Sequence, residues 1–149
     1  MTGSVRTDTP SATAERGGLR RYAFTGYHWL LLAFLLAGCA QIFLAGLGVF
    51  SFGDHDTAGG TSAFGAHRAL GFALAGVAIV IFVLALIARA GVVPPVLSAV
   101  LVVQTALLQS LLAGLAGNAA LYGGLHALDG ILVLGIAGFL YATSRRRRA

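Results

Sequence analysis

Two histidines in strongly apolar surroundings are the residues of this sequence most suited to chemistry. His67 and His126 each lie in a Gly-x-His-x-x-x-Gly pattern, at residues 65–71 and 124–130. A haem iron accepts one axial ligand on each face of the porphyrin, and neutral imidazole fills that position well. The pair therefore indicates a haem b site near the outer face of a membrane, with His67 and His126 as the two iron ligands.

Small and polar residues accompany the two histidines. Gly71 and Gly130 follow them by four positions, on the same helix face, where a missing side chain lets a flat macrocycle approach the backbone. Gln41 and Gln109 lie at a similar depth on the preceding helices and are expected to line the site. Arg68 has two interpretations. Its guanidinium pairs with the carboxylates of haem propionates, or its side chain extends to lipid phosphates.

The same residues also have a purely structural explanation. Histidine and glutamine in membrane helices hydrogen-bond to neighbouring helices, and glycine allows close helix packing. This alternative describes a cofactor-free structural or accessory membrane subunit. A third hypothesis is a small transporter or quinone-site protein that uses Gln41, Gln109 and Asp129, with Asp129 either hydrogen-bonded to Gln104 or a ligand imidazole, or protonated. The cytoplasmic half is expected to be almost wholly apolar, with Gln104 as the exception.

Two other histidines fall outside this set. His28 precedes Trp29 at the start of an apolar span and is expected to be an interfacial side chain. His55 lies between Asp54 and Asp56, a weak metal-like cluster that is expected to be solvated rather than to bind zinc.

Membrane-spanning helices are the elements that must position these residues. The 149 residues are 58% hydrophobic and 10% charged, with a mean hydropathy of +0.87, whereas a soluble domain is about 25% charged. Four stretches are long enough to cross a bilayer: 29–50, 66–88, 95–115 and 119–142. The sequence predicts an all-α integral membrane four-helix bundle, in which the second and fourth helices can lie diagonally across the core.

Arginine distribution predicts the orientation of the bundle. All ten basic residues are arginine, and nine of them flank the spans on one side. By the positive-inside rule that side is cytoplasmic, so both termini are expected inside a bacterial inner membrane. The expected domains are a disordered cytoplasmic tail (1–21), a transmembrane domain (22–143) and a basic cytoplasmic tail (144–149). Pro94 and Pro95 are predicted to stop the second helix and start the third.

Expected partners follow from the same distribution. Because membrane topology explains the net charge of +5, nucleic acid is not an expected partner. The expected partners are the lipid bilayer and either a second copy of the chain or a membrane redox protein. No serine–histidine–acid set, phosphate loop or pair of catalytic carboxylates occurs, so a hydrolase or kinase is not expected. Whether the chain is an enzyme is left open, with a stand-alone enzyme the less favoured case.

An internal repeat relates the two halves of the chain. Residues 41–47 (QIFLAGL) recur as residues 109–115 (QSLLAGL), with five of seven positions identical. The two histidine patterns follow in the next helix of each half. The chain is thus predicted to be two repeated helical hairpins, each with glutamine on its first helix and histidine on its second, about a pseudo-two-fold axis along the membrane normal.

These motifs carry a family resemblance. His67-Arg68-Ala-Leu-Gly71 resembles the His-Arg-x-x-Gly of the heme A synthase family, and residues 109–114 and 125–126 resemble that family's equivalents, over roughly residues 38–135. The resemblance implies one four-helix half of an eight-helix fold, with His67 and His126 as haem ligands. Phe64 stands where the family's catalytic half has glutamate, and the family's outer-loop cysteine pair is missing. The resemblance therefore implies a cofactor-holding half, or a related four-helix membrane family, rather than haem oxidation.

Overall fold

Four long helices make up the described part of the chain. The structure is a computed structural model that describes residues 12–147, with side chains from residue 17 onward. The helices are α1 (Ala12–Gly53), α2 (Thr57–Ile87), α3 (Val93–Leu115) and α4 (Ala120–Arg146). Each is long and apolar enough to cross a membrane, and residues 12–147 contain no strand. The predicted all-α architecture, with four helices long and apolar enough to span a membrane, is confirmed.

The helices form a ring in which each contacts the next and α1 also contacts α4. Among the described residues, no Cα atom of α2 lies within 8 Å of one in α4, and the same holds for α1 and α3. The second and fourth helices are therefore diagonal, as predicted. A side chain from α2 can meet one from α4 only by reaching across the core.

Packing is tightest at one end of the bundle. This end, called here the arginine end, contains the α2–α3 turn and the last turns of α4, with Arg89, Arg145 and Arg146. The opposite end, with His67 and His126, is called the histidine end. The fully buried side chains of the hydrophobic core lie toward the arginine end and include Tyr27, Leu31, Phe34, Ala78, Ile81, Leu101, Ala137 and Leu140.

At the histidine end the two hairpins lie apart. None of the residues from 105 to 128 is buried. The last segment of α3, Gln109–Leu115, contacts α4 but has no Cα atom within 8 Å of α2. The bundle is thus closed at the arginine end and more open between the hairpins at the histidine end.

The α2–α3 turn reverses the chain at the arginine end. After α2 ends at Ile87, Arg89 and Gly91 adopt positive φ angles of 49° and 89°, a conformation that glycine takes without a Cβ clash. Pro94 lies in the first turn of α3, where a missing N–H is harmless. The prolines start α3 as predicted, but this turn, and not the prolines, ends α2.

Helices α1 and α2 are longer than their predicted spans. The structure has α1 starting at Ala12, so the described part of the predicted tail (1–21) is helical, while residues 1–11 and 148–149 lie outside the described residues. At 1.5 Å per residue α1 is about 63 Å long, roughly twice the bilayer core. The earlier start of α2, at Thr57, is fixed by Asp56, whose carboxylate accepts a hydrogen bond from Gly59 N at 2.9 Å.

Candidate functional site

The two predicted ligands meet across the core of the bundle. His67 of α2 and His126 of α4 are both half-buried, and their ring centroids lie 6.1 Å apart with an interplanar angle of 64°. Because α2 and α4 are diagonal helices, the two rings face each other from opposite walls. The structure therefore brings together the two side chains that the sequence singled out.

Both imidazoles are oriented by the same kind of hydrogen bond. Nδ1 of His67 contacts the backbone carbonyl of Gln41 at 3.1 Å, and Nδ1 of His126 contacts that of Gln109 at 3.2 Å. A carbonyl oxygen only accepts, so each Nδ1 carries the proton. The lone pair of each neutral ring is then on Nε2, which is the atom that binds a metal when Nδ1 is held in this way.

The glutamine side chains lie against the predicted glycines. A Cβ atom at Gly71 would be 3.0 Å from Nε2 of Gln41, and one at Gly130 would be 3.6 Å from Nε2 of Gln109. In each hairpin a glutamine amide thus rests on the helix backbone one turn beyond the histidine. A Cβ atom at Gly71 would crowd the amide, so glycine favours the approach there, whereas a Cβ atom at Gly130 would be in ordinary contact.

Asp129 is the centre of a buried polar cluster in the second hairpin. It is 8% exposed, and both of its carboxyl oxygens accept hydrogen bonds. Gln104 Nε2 donates to Oδ1 at 3.0 Å, and Gln109 Nε2 donates to Oδ2 at 2.9 Å. Of the alternatives left open for Asp129, the structure shows the contact with Gln104, and it adds a second donor that had not been predicted. The first hairpin has Leu70 at the corresponding position.

A π-helical turn explains how two glutamines five residues apart reach one carboxyl group. In a regular α-helix such residues point about 140° apart. Residues Gln104–Leu108 form a π-helical turn, in which Gln109 N–H donates to the carbonyl of Gln104, and this wider turn brings both side chains onto the face toward α4. Turns of this kind are frequent at functional sites. The only signal in the sequence is the presence of two glutamines in an otherwise apolar span.

An aromatic pair lies beside His67. Phe64 contacts the His67 ring edge-on with a centroid distance of 6.4 Å and stacks on Phe52 at 5.9 Å. Arg68, the neighbour of His67, is exposed. The histidine end therefore presents an aromatic wall and one cation near the imidazole pair.

The arginine end contains polar residues whose burial the sequence did not predict. His28 is 5% exposed, and its Nδ1 lies 2.8 Å from Oγ of Ser144, while its ring stacks on Tyr141 at 5.0 Å. Ser98 is fully buried in the same half. His28 is therefore buried inside the bundle and is not only an interfacial side chain, and the half expected to be almost wholly apolar also buries Ser98 and Ser144. From sequence alone, small hydroxyl side chains and a histidine next to aromatic residues cannot be distinguished from residues on the surface of a helix.

In the Asp54-His55-Asp56 stretch, Asp56 has a structural role. Asp56 caps α2, and His55 has a positive φ of 65° in the tight α1–α2 connection. Within residues 12–147, no group of three or more histidine, cysteine or acidic side chains is arranged to hold a metal ion.

The fold and the facing imidazoles define a class, a multi-pass four-helix membrane protein with a histidine pair across its core. Comparison of the chain with protein-family models, with curated proteins and with solved structures finds no match in any of the three. The chemistry of the site is therefore inferred from its own geometry.

Proposed function

We propose that this chain is a membrane-embedded haem b protein that transfers electrons or handles haem, with His67 and His126 as axial ligands. The observation that carries the proposal is the 6.1 Å separation of the two ring centroids. At this separation His67 and His126 would both be within reach of one haem iron held between them.

The hydrogen bonds of the two rings support the same proposal. A protonated Nδ1 bound to the carbonyl of Gln41 or Gln109 leaves Nε2 as the ligand atom on both sides. Such an outer contact fixes the tautomer and the orientation of a metal-binding histidine. Both rings are thus prepared as ligands by the protein itself.

The looser packing at the histidine end supports an approach for a flat macrocycle from that end. The last segment of α3 stands apart from α2 there, and none of residues 105–128 is buried. Gly71 and Gly130 place no side chain beside the two ligands, while the amide of Gln109 is engaged by Asp129 and by the His126 carbonyl. Arg68, exposed beside His67, is suited to pair with propionate carboxylates. When bound, haem supplies one-electron redox chemistry.

The proposal extends to architecture and location. The two hairpins, each with a histidine hydrogen-bonded to a glutamine carbonyl of its partner helix, are interpreted as an internal repeat. The resemblance to one half of heme A synthase supports the same ligand pair. We also propose a bacterial inner membrane location with both termini cytoplasmic, and either a second copy or a membrane redox protein as partner.

Absorption spectra of the detergent-purified protein, expressed with ample haem, test this function. We expect a Soret band and, after dithionite reduction, sharp α and β bands of six-coordinate low-spin haem. These low-spin bands should disappear in both His67→Ala and His126→Ala and remain in His55→Ala, a matched control in the α1–α2 connection. A colourless protein that also fails to take up added haemin would contradict the proposal and favour a cofactor-free accessory subunit.

A further inference from the structure

We propose that bound water connects the buried Asp129 cluster to the arginine end of the bundle. The water lies between the hydroxyl groups of Tyr27 and Ser98 and the side chain of Gln104. This binding site is separate from the histidine pair and does not depend on the haem function proposed above. Its evidence is a set of buried polar atoms that lack hydrogen-bond partners.

These unpartnered atoms lie mainly on one side of Asp129. Among the side chains that the structure describes, four buried polar atoms have no partner: Oη of Tyr27, Oγ of Ser98, Oε1 of Gln104 and Oε1 of Gln41. The first three are those nearest the arginine end and Asp129. Tyr27 and Ser98 are only 1% and 0% exposed, so bulk solvent does not reach them. Buried polar groups of native proteins are nearly always hydrogen-bonded, either to protein or to ordered water.

The hydroxyl groups of Tyr27 and Ser98 form one end of the site. Tyr27 of α1 lies beside Ser98 of α3, and its side chain must cross the core because these helices are diagonal. The two hydroxyl groups are near each other but are not in hydrogen-bond geometry. Since each hydroxyl group can both donate and accept, one water molecule between them can bind both. The charge of the exposed Arg147 guanidinium acts on the Tyr27 hydroxyl, so this end lies close to the surface of the arginine end.

Gln104 forms the other end of the site. Its Nε2 donates to Oδ1 of Asp129 at 3.0 Å, which leaves Oε1 as an acceptor without a donor. Gln104 follows Ser98 by six residues, about 9 Å along the axis of α3. Leu101 is fully buried at the level between them, where the Thr105 hydroxyl group donates to the Leu101 carbonyl at 2.7 Å. A short file of water past Leu101 supplies the missing donor to Gln104 and joins it to the hydroxyl pair.

Hydration from this direction gives Asp129 a connection to one side of the membrane. Toward the histidine end the cluster is closed, because the Gln109 amide donates both to Asp129 Oδ2 and to the His126 carbonyl. Acidic groups inside membrane proteins typically lie on a path for water, ions or protons. Water, and the protons it carries, therefore exchange with the cluster from the arginine end.

The sign of a stability change gives the first test. Removal of a hydroxyl group that binds water loses a hydrogen bond, whereas removal of an unpartnered buried hydroxyl group is neutral or stabilising. Tyr27→Phe should therefore unfold at a lower fraction of sodium dodecyl sulfate than the wild type. Tyr22→Phe, at an exposed tyrosine of the same helix, should not shift the midpoint. A Tyr27→Phe protein at least as stable as the wild type would overturn the proposal.

Deuterium exchange at the side-chain amide of Gln104 tests the route of the water. Solid-state nuclear magnetic resonance of the full chain in lipid bilayers, with labelled glutamine, follows this exchange. Ser98→Val places an apolar group in the route and should slow the exchange at least tenfold. Ser110→Val, at an exposed serine of the same helix, should leave it unchanged.

Tyr27→Phe is the second variant for this measurement, because it removes a single oxygen atom and keeps the ring that packs in the core. It should slow the exchange at Gln104 in the same direction as Ser98→Val. An amide that does not exchange in the wild type would show that no water reaches Gln104. Equal rates in the wild type and Tyr27→Phe would show that water arrives by another route, and either result would overturn the proposal.

Discussion

At the scale of single residues, Asp129 is a buried carboxyl group whose hydrogen-bond donors are the side-chain amides of two glutamines. Its two oxygens accept from Gln104 and Gln109, and the whole cluster is enclosed by α3 and α4. A buried polar group that loses its partner costs about 1–3 kcal/mol. In membranes the measured effect is often smaller, because the unfolded helices find other partners.

Asp129→Leu should therefore destabilise the bundle by about 1–2 kcal/mol, since it leaves the Gln104 amide without its acceptor and removes one of the two acceptors of the Gln109 amide. Unfolding by sodium dodecyl sulfate in mixed micelles measures the change. Leu128→Ala, an exposed neighbour on the same helix, serves as the control and should have little effect. An Asp129→Leu protein as stable as the wild type would contradict the role assigned to the cluster.

The buried His28–Ser144 contact carries a second prediction at this scale. The Ser144 hydroxyl donates its hydrogen to the Tyr141 carbonyl and accepts from Nδ1 of His28 at 2.8 Å, so Ser144→Ala should lower stability by about 1 kcal/mol. The neighbouring Thr143→Ala should matter less, because that hydroxyl group bonds only to the Leu140 carbonyl of its own helix. Thermal unfolding followed by circular dichroism distinguishes them, and the opposite ranking would exclude a stabilising role for the His28 contact.

The residues of the candidate site were predictable to different extents. His67, His126 and Asp129 stand out in the sequence because polar side chains are rare and expensive in lipid-spanning helices. The two histidines are oriented by the backbone carbonyls of Gln41 and Gln109, and since every residue has a backbone carbonyl, no sequence motif indicates these contacts. Which residues could bind a metal was thus evident, while the atoms that hold them in place required the structure.

At the scale of helices, α1 and α2 interlock through phenylalanines and glycines. A Cβ atom at Gly48 would lie 2.8 Å from the Phe64 ring, and one at Gly60 would lie 2.7 Å from the Phe52 ring. Each helix thus receives an aromatic ring of the other in a gap left by glycine. Because Phe64 also contacts His67, this packing connects the hairpin to the candidate site.

Gly48→Leu should push Phe64 out of its position and destabilise the bundle by about 1–3 kcal/mol through overpacking. Gly46→Leu is a matched control on the same helix, since nothing lies within 4 Å of a Cβ atom there. Unfolding in mixed micelles measures both variants. Similar losses in the two proteins would mean that the effect comes from glycine replacement in general and not from the Phe64 contact.

The existence of the four helices followed from hydrophobicity, but their ends and irregularities did not. Asp56 extends α2 well beyond its apolar stretch by capping it, a local effect independent of membrane thickness. The π-helical turn at Gln104–Leu108 accompanies bonds to Asp129 on another helix. Such features depend on tertiary contacts, which the hydrophobic pattern of one helix does not contain.

At the scale of the whole molecule, charge is concentrated at the arginine end. Arg89, Arg145 and Arg146 are exposed there, and the Arg147 guanidinium donates to the carbonyl of Ala90. That bond joins the end of α4 to the α2–α3 turn, so both lie on one side of the membrane. The positive-inside rule then predicts that this side is cytoplasmic.

Cysteine labelling in intact cells tests the orientation. In a Cys39→Ala background, His55→Cys should react with a membrane-impermeant maleimide added outside, because it lies in the exposed α1–α2 connection. Arg146→Cys should react only after the cells are opened. The reverse pattern would show that the bundle is inserted the other way round.

The central claim is that one haem is held between His67 and His126, and electron paramagnetic resonance of the ferric protein tests it most directly. Two neutral imidazole ligands give a low-spin signal, and the steep angle of 64° between the rings favours a strongly anisotropic one. We predict a single low-spin haem per chain, absent in both His67→Ala and His126→Ala. A purely high-spin signal, or a low-spin signal that survives either substitution, would contradict ligation by this pair.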